Sequence, residues 1–119
     1  MSDDFSTENE IIIPADLQNQ TYSGNELNDK ITELSKKGYQ LLKEDKIEEA
    51  TQAFESILEL EKNNNYALVG LGDTERKKNN LKKAIEYYNQ CLLMHPTNNY
   101  ALFGVADCYK SLHQYDKAI

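Results

Sequence analysis

Few residues of this 119-residue chain have the types and spacing that enzymatic chemistry requires. His95 and His113 are far apart in sequence and lie in predicted turns, so we expect no metal site. Cys91 and Cys108 are too few for a disulfide framework, and we interpret both as buried small apolar residues. No glycine-rich phosphate loop or Ser–His–Asp grouping is recognised, and the carboxylates are spread over predicted solvated helix faces. The sequence therefore predicts a protein that is not an enzyme and that uses no metal or cofactor.

The charge of the chain is concentrated at its N-terminus. The net charge is −7, and residues 1–28 carry six acids and no Lys or Arg, so the remainder is nearly neutral. Arg76–Lys78 and Lys82–Lys83 form the single basic cluster, which we interpret as cations at the end of a helix. This distribution argues against nucleic-acid binding. No run of 18 apolar residues and no apolar leader is present. We therefore expect a cytoplasmic protein that does not enter a membrane.

Helical periodicity begins near Asp29 and continues through the rest of the chain. The spacing of apolar residues predicts helices over about 29–43, 47–60, 66–78, 81–94 and 99–112, with another helix starting at Tyr115. Asn28 or Asp29 could cap the first of these helices, and Pro96 ends the fourth. Short polar turns such as Asn63–Asn65 separate the helices. The sequence therefore predicts an all-α protein made of helix pairs.

Residues 1–28 form a different region, which we expect to be an acidic and mostly disordered segment that precedes the helical domain of residues 29–119. Within it, Ile11–Ile13 precedes Pro14, and β-branched residues before proline favour an extended conformation. Two interpretations stay open: an apolar patch in a disordered tail, or a segment that docks on apolar surface elsewhere in the chain.

A repeat with a period of 34 residues organises the helical region. The string Asn64–Leu68 recurs as Asn98–Leu102. Small residues recur with the same period at two further sets of positions: Ala50, Ala84 and Ala118, and Gly38, Gly72 and Ala106. A fixed period of this length is the sequence signature of stacked-repeat proteins.

This pattern resembles the tetratricopeptide repeat (TPR), a 34-residue helix–turn–helix unit, over residues 31–64, 65–98 and a truncated 99–119. The resemblance implies a right-handed superhelical stack of antiparallel helix pairs, an α-solenoid of about two and a half repeats. It places Gly38 against Ala50 and Gly72 against Ala84, with Phe54 and Tyr88 filling the space between units. Lys37, Lys62 and Glu75 depart from the usual pattern, and Trp is absent.

In this family the first helix of each pair lines a concave groove that binds a protein or peptide partner. Exposed aromatic and charged side chains are typical binding anchors. For the aromatic residues, packing between neighbouring first helices is the alternative interpretation. The resemblance predicts a groove lined by Tyr39, Tyr66, Val69, Asp73, Arg76, Tyr100, Phe103, Asp107 and Lys110. Asp73 with Arg76, and Asp107 with Lys110, could form local ion pairs or could read polar groups of a peptide. Gly70 and Gly104 could serve either tight helix contact or close approach of a ligand.

The third unit lacks nearly all of its second helix, so the face formed by Leu102, Val105, Ala106 and Tyr109 should be partly exposed. We expect the chain to be a fragment of a longer protein, or this face to be covered by Ile11–Ile13 or by a second copy. The leading interpretation is a non-catalytic scaffold that binds a partner segment in the groove. The alternatives are a module that self-associates through its C-terminal edge, giving a homo-oligomer, and the N-terminal part of a larger enzyme or regulator.

Overall fold

The computed structural model describes residues 26–118, and the side chains of residues 26–114. Five α-helices follow one another: α1 (Glu26–Lys43), α2 (Ile47–Leu60), α3 (Asn65–Lys77), α4 (Leu81–Met94) and α5 (Asn99–Ala118). No β-strand occurs in the described range, and the all-α prediction is confirmed. Among the described helices, none combines the length and the apolar character that a membrane span requires.

The repeated string Asn64–Leu68 and Asn98–Leu102 marks the start of a helix in each case. Asn64 Oδ1 accepts a hydrogen bond from the backbone N–H of Ala67 (3.0 Å), and Asn98 Oδ1 accepts one from Ala101 (2.9 Å). Each asparagine therefore satisfies a backbone donor that the first helical turn leaves unpaired. The recurrence in the sequence thus encodes one local structure, the capped start of the first helix in a pair.

The turn within each complete pair is built on a residue with left-handed backbone conformation. Asp45 has φ 65° and Asn79 has φ 68°, a region that Asp and Asn tolerate better than most residues. The next backbone N–H reaches back to close the helix, from Lys46 to the carbonyl of Leu41 (2.9 Å) and from Asn80 to that of Glu75 (2.8 Å). These bonds satisfy carbonyls at the end of α1 and of α3.

The expected turn at His113 is wrong, because α5 continues through this position to Ala118. His113 is the residue that corresponds by the repeat to Asp45 and Asn79. Its side chain is less suited than the short Asp or Asn side chain to stabilise left-handed backbone by a local hydrogen bond. The helix of the third unit therefore does not reverse within the described residues.

The start of α1 also differs from the prediction. The helix begins at Glu26, so Asn28 and Asp29 lie inside it and neither is its cap. Glu26 and Asp29 place acidic side chains in the first turn, where they interact favourably with the helix dipole. The segment Ile11–Pro14 and the rest of residues 1–25 lie outside the described residues, so the expectation of an acidic, mostly disordered segment stays a prediction.

The helices pack as a sequential stack. α1 packs on α2 and α3 packs on α4, and the short turns that join each pair make its two helices antiparallel. α5 packs on α4, and the first helices of the pairs also contact one another, α1 with α3 and α3 with α5. One buried cluster includes Tyr39, Leu42 and Phe54, and a second includes Leu68 and Tyr88.

Two aromatic rings fill the spaces between consecutive first helices, as the resemblance implied. Phe54 lies between Gly38 on α1 and Gly70 on α3, where an added Cβ would approach the ring to 2.6 Å and 2.4 Å respectively. Tyr88 lies in the same way between Gly72 on α3 and Gly104 on α5, with corresponding distances of 2.5 Å and 2.4 Å. The expected neighbours Ala50 and Ala84 are fully buried, but the atoms closest to Gly38 and Gly72 belong to the rings.

Candidate binding groove

The nine residues predicted to line the groove lie on α1, α3 and α5, and we call them the groove face. Tyr39 is on α1, Tyr66, Val69, Asp73 and Arg76 are on α3, and Tyr100, Phe103, Asp107 and Lys110 are on α5. Because α3 contacts both α1 and α5, the three helices form one continuous row. The groove face is therefore brought together on neighbouring helices, although its residues differ strongly in exposure.

The exposure predicted for Tyr39 is wrong. Its side chain is fully buried, and its ring meets that of Phe54 edge to face, with centroids 5.2 Å apart and an interplanar angle of 73°. Val69 is also buried, at 4% exposure. Packing between helices accounts for both side chains, because an aromatic edge at Tyr39 supports the ring that joins the first two units.

The accessible aromatic residues of the groove face lie on α3 and α5. Phe103 is 63% exposed, and Tyr66 and Tyr100 are half-buried. Ala101 and Cys108 on α5 are fully buried, and Tyr100 packs partly against the cluster that contains them. The exposed part of the groove face thus presents three aromatic side chains from two adjacent helices.

A polar network connects α3 with α4 and α5. The Tyr88 hydroxyl donates a hydrogen bond to Asp73 Oδ1 over 2.6 Å. Arg76 Nη2 contacts the same carboxylate oxygen at 3.4 Å, and Arg76 Nη1 contacts Asp107 Oδ2 at 3.2 Å. The predicted pair of Asp73 and Arg76 is confirmed. Among the described side chains, Asp107 pairs with Arg76 of the preceding unit rather than with Lys110.

Burial controls the ionisation of this network. Burial raises the pKa of the Asp73 carboxyl, while the hydrogen bond from Tyr88 and the positive charge of Arg76 oppose the rise. Burial, together with the charge of Asp73, raises the pKa of the Tyr88 phenol, which therefore stays a proton donor at neutral pH. The network holds two carboxylates and one guanidinium in fixed positions on α3 and α5, a charged arrangement that could pair with polar groups of a peptide.

Sequence reasoning missed the bond between Tyr88 and Asp73, but the repeat contained a signal for it. The two residues occupy the same positions of the second unit that Phe54 and Tyr39 occupy in the first. The aromatic edge contact of the first unit is replaced in the second by a hydrogen bond between a hydroxyl and a carboxylate. Comparing such pairs between units would have indicated the contact.

The rings account for Gly70 and Gly104 without a ligand. An added Cβ at either glycine would lie 2.4 Å from the nearest atom of the Phe54 or Tyr88 ring, closer than real Cβ contacts allow. Of the two interpretations that the sequence left open, tight helix contact is the one the structure supports. Both glycines are buried, so neither forms part of the accessible groove face.

Glu75, which departs from the family pattern, is buried at 4% exposure but is well satisfied. Its carboxylate accepts a hydrogen bond from Asn80 Nδ2 over 2.9 Å and lies within 3.6 Å of Lys78 Nζ and 4.0 Å of Lys83 Nζ. Lys78 and Lys83 belong to the basic cluster, so this part of the cluster neutralises an internal acid. Lys37, another departure, is exposed.

The two cysteines are free and buried, as predicted. Burial raises the pKa of the Cys91 thiol to about 11 and also raises that of Cys108, which makes both thiols poor nucleophiles at neutral pH. In the part of the chain that the structure describes, no three His, Cys, Asp or Glu side chains come together in a way that could hold a metal ion.

The described helices form a helical-repeat fold, in which antiparallel helix pairs stack in sequence. The sequence model of the tetratricopeptide repeat matches residues 66–98, which is the second unit, and the predicted resemblance is confirmed. Repeats of this family generally mediate protein–protein interactions and are generally non-catalytic. No curated protein matches the chain.

Proposed function

We propose that this protein is a non-catalytic interaction module that binds a segment of a partner protein across α3 and α5. The observation that carries the proposal is the 63% exposure of Phe103 beside the half-buried Tyr66 and Tyr100. Aromatic side chains are enriched in the buried centres of protein interfaces. Complete burial of one Phe side chain stabilises a complex by about 1.5–3 kcal/mol before the cost of association is subtracted.

The polar network supports the same assignment. Asp107 is 60% exposed at its side chain and is already held by Arg76, so it can accept a hydrogen bond from a peptide N–H without losing rotamer freedom. Lys110 is exposed on the next turn of α5 and offers a donor for a carbonyl or carboxylate. A partner segment would therefore place apolar side chains against Phe103 and polar groups against Asp107 and Lys110.

The test compares variants in affinity capture from the native cell extract. Tyr66→Ala combined with Tyr100→Ala should remove specific partners while the far-ultraviolet circular dichroism spectrum stays that of the wild type. Tyr87→Ala is the matched control, because Tyr87 is a half-buried tyrosine on α4 outside the groove face. Partners that persist on the double variant, or that are lost equally from the control, would place the binding surface elsewhere.

A second candidate function is self-association through α5. Leu102 and Tyr109 are 44% and 56% exposed, Val105 is half-buried and Ala106 is exposed, so the exposed face expected for this helix is confirmed. A second copy could bury these side chains. Sedimentation velocity over a wide concentration range should then reveal a dimer that Leu102→Ser with Tyr109→Ser abolishes. A monomer at every concentration would exclude this alternative.

A further inference from the structure

The two carboxylates of the polar network share one guanidinium, that of Arg76. Asp73 is satisfied internally, because it also accepts the hydrogen bond from Tyr88 and its side chain is 12% exposed. The Asp107 side chain is 60% exposed, and among the described side chains Arg76 is the one cation that pairs with it. Two negative charges therefore face one positive charge, and the excess negative charge lies at the accessible end of the network, on Asp107.

Phe103 lies one helical turn before Asp107 on α5 and is 63% exposed. Residues four apart on a helix share a face, with Cβ atoms about 5–6 Å from each other. Helical side chains also lean toward the N-terminus, so the side chain of Asp107 leans toward the turn that carries Phe103. An exposed aromatic ring and an exposed carboxylate therefore stand side by side on the groove face.

Arginine is the side chain whose chemistry matches this pair of groups. Its guanidinium is planar, stacks on aromatic rings and can donate two parallel N–H bonds to one carboxylate. Its methylene groups can lie against apolar surface while the charged end stays at the carboxylate. The lysine ammonium is compact and strongly hydrated, so it can pair with a carboxylate but gains less from a ring. A ligand arginine would thus engage Phe103 and Asp107 together.

The surrounding charges limit how many cations this place accepts. Lys110 is exposed on the next turn of α5 and would repel a second cation beyond Asp107, which favours one isolated arginine over a run of basic residues. Over longer distances, the net charge of −7 attracts a cationic ligand. The contact of 3.2 Å between Arg76 Nη1 and Asp107 Oδ2 shows that this carboxylate already pairs with a guanidinium within the chain.

We propose that the partner segment is anchored by an arginine side chain, whose guanidinium stacks on the Phe103 ring and donates hydrogen bonds to the Asp107 carboxylate. This inference deepens the proposed function and rests on it for the statement that a partner segment lies across α3 and α5. The residues that flank the arginine would then reach Tyr66 and Tyr100.

The experiment titrates three capped tripeptides into the isotope-labelled full chain, with ¹H–¹⁵N correlation spectra as the readout. Each peptide has two leucines around a central arginine, lysine or citrulline, which has the shape of arginine but no charge. The arginine peptide should shift the amide signals of residues 103–110 and should bind about two- to fivefold more tightly than the citrulline peptide, the factor that one exposed ion pair supplies. The lysine peptide should fall between them. Equal binding of arginine and citrulline, or of arginine and lysine, would overturn the proposal.

Charge variants test where the arginine peptide binds. Asp107→Asn should remove the advantage of arginine over citrulline, while the spectrum of the free variant reports that the fold is retained. Asp45→Asn is the matched control, because Asp45 is an aspartate with 76% side-chain exposure outside the groove face, and Asn tolerates its left-handed backbone. If both variants weaken the arginine peptide alike, the attraction is to the overall negative charge and the proposed site is wrong.

Phe103→Leu tests the stacking contact, because leucine keeps an apolar side chain but has no ring. Arginine and lysine peptides should then bind equally well, whereas a preference for arginine that survives this substitution would contradict stacking on Phe103. These titrations use peptides of known sequence and need no natural partner. Their failure is therefore distinguishable from failure of the extract capture, which tests whether α3 and α5 bind a partner at all.

Discussion

Gly70→Ala offers the sharpest test of the packing between units. Gly70 is buried on α3, and a methyl group there would lie 2.4–2.6 Å from three atoms of the Phe54 ring. Ordinary carbon contacts are about 3.5–4.0 Å, so the ring would have to move by about 1 Å. Gly38 approaches the same ring from α1 and Tyr39 contacts it edge to face. Because Phe54 is fully buried, it has no space into which to move.

The expected change in stability is the difference between two effects. Overpacking of a filled core costs about 1–3 kcal/mol, and the confined ring places this site near the upper limit. Replacing glycine by alanine inside a helix contributes about 1 kcal/mol in the opposite direction. We therefore expect the free energy of unfolding to fall by about 2 kcal/mol, which lowers the melting temperature by roughly 8–16 °C in a domain of this size.

Urea denaturation followed by circular dichroism measures this difference directly. The control is a double-mutant cycle with Phe54→Leu, whose shorter side chain should make room for the methyl group. The two substitutions together should then cost less than the sum of the single costs, by about 1 kcal/mol or more. If Gly70→Ala is instead as stable as the wild type, or more stable by the helix-propensity gain, the ring is not confined and the packing argument is wrong.

Three further predictions concern the second unit. Ala84→Leu inserts a larger side chain at a fully buried position and should destabilise the fold by about 1–3 kcal/mol; an unchanged thermal midpoint would show that the site has spare room. Tyr88→Phe removes the donor that lies 2.6 Å from Asp73 Oδ1. The free energy of unfolding in urea at pH 7 should therefore fall by about 1–3 kcal/mol. An unchanged value would mean that Arg76 alone satisfies the carboxylate. Burial raises the pKa of Cys91 from 9.0 to about 11, so over this range the native state retains a proton that the unfolded state loses. The free energy of unfolding should therefore fall as the pH rises from 9 to 11, by on the order of 1 kcal/mol. Cys91→Ala removes this contribution, and a parallel decline of the two proteins over that range would contradict it.

The local structure of the fold could be predicted from the sequence because the determinants are local. Asn64 and Asn98 carry their capping signal in their own side chains, and the recurring small residues indicated where helices come close. The turn expected at His113 failed for a related reason. The period of the repeat suggested a turn, but the residue at that position is not the Asp or Asn that holds the equivalent turns in the preceding units.

The candidate site was harder to predict, because its geometry depends on contacts between units. Spacing along one helix suggested Lys110 as the partner of Asp107, but the structure pairs Asp107 with Arg76 on the neighbouring helix. The periodicity of a single helix likewise cannot distinguish a residue exposed in the groove from one buried between helices. Tyr39 and Phe103 are both aromatic residues at predicted groove positions, yet one is fully buried and the other is mostly exposed.

The fit of each aromatic ring is shared across a junction between units, which makes the array modular. Phe54 belongs to the first unit and Gly70 to the second, while Tyr88 and Gly104 stand in the same relation one period later. Excision of residues 65–98 would bring Gly104 to the place of Gly70, opposite Phe54, with the contact preserved. Most deletions of other lengths would instead place a residue with a side chain opposite the ring. Such an array keeps its contacts between units when it gains or loses whole periods of 34 residues. Recombination in whole periods would therefore change the length of the stack and preserve the contact between each ring and the glycine of the next unit.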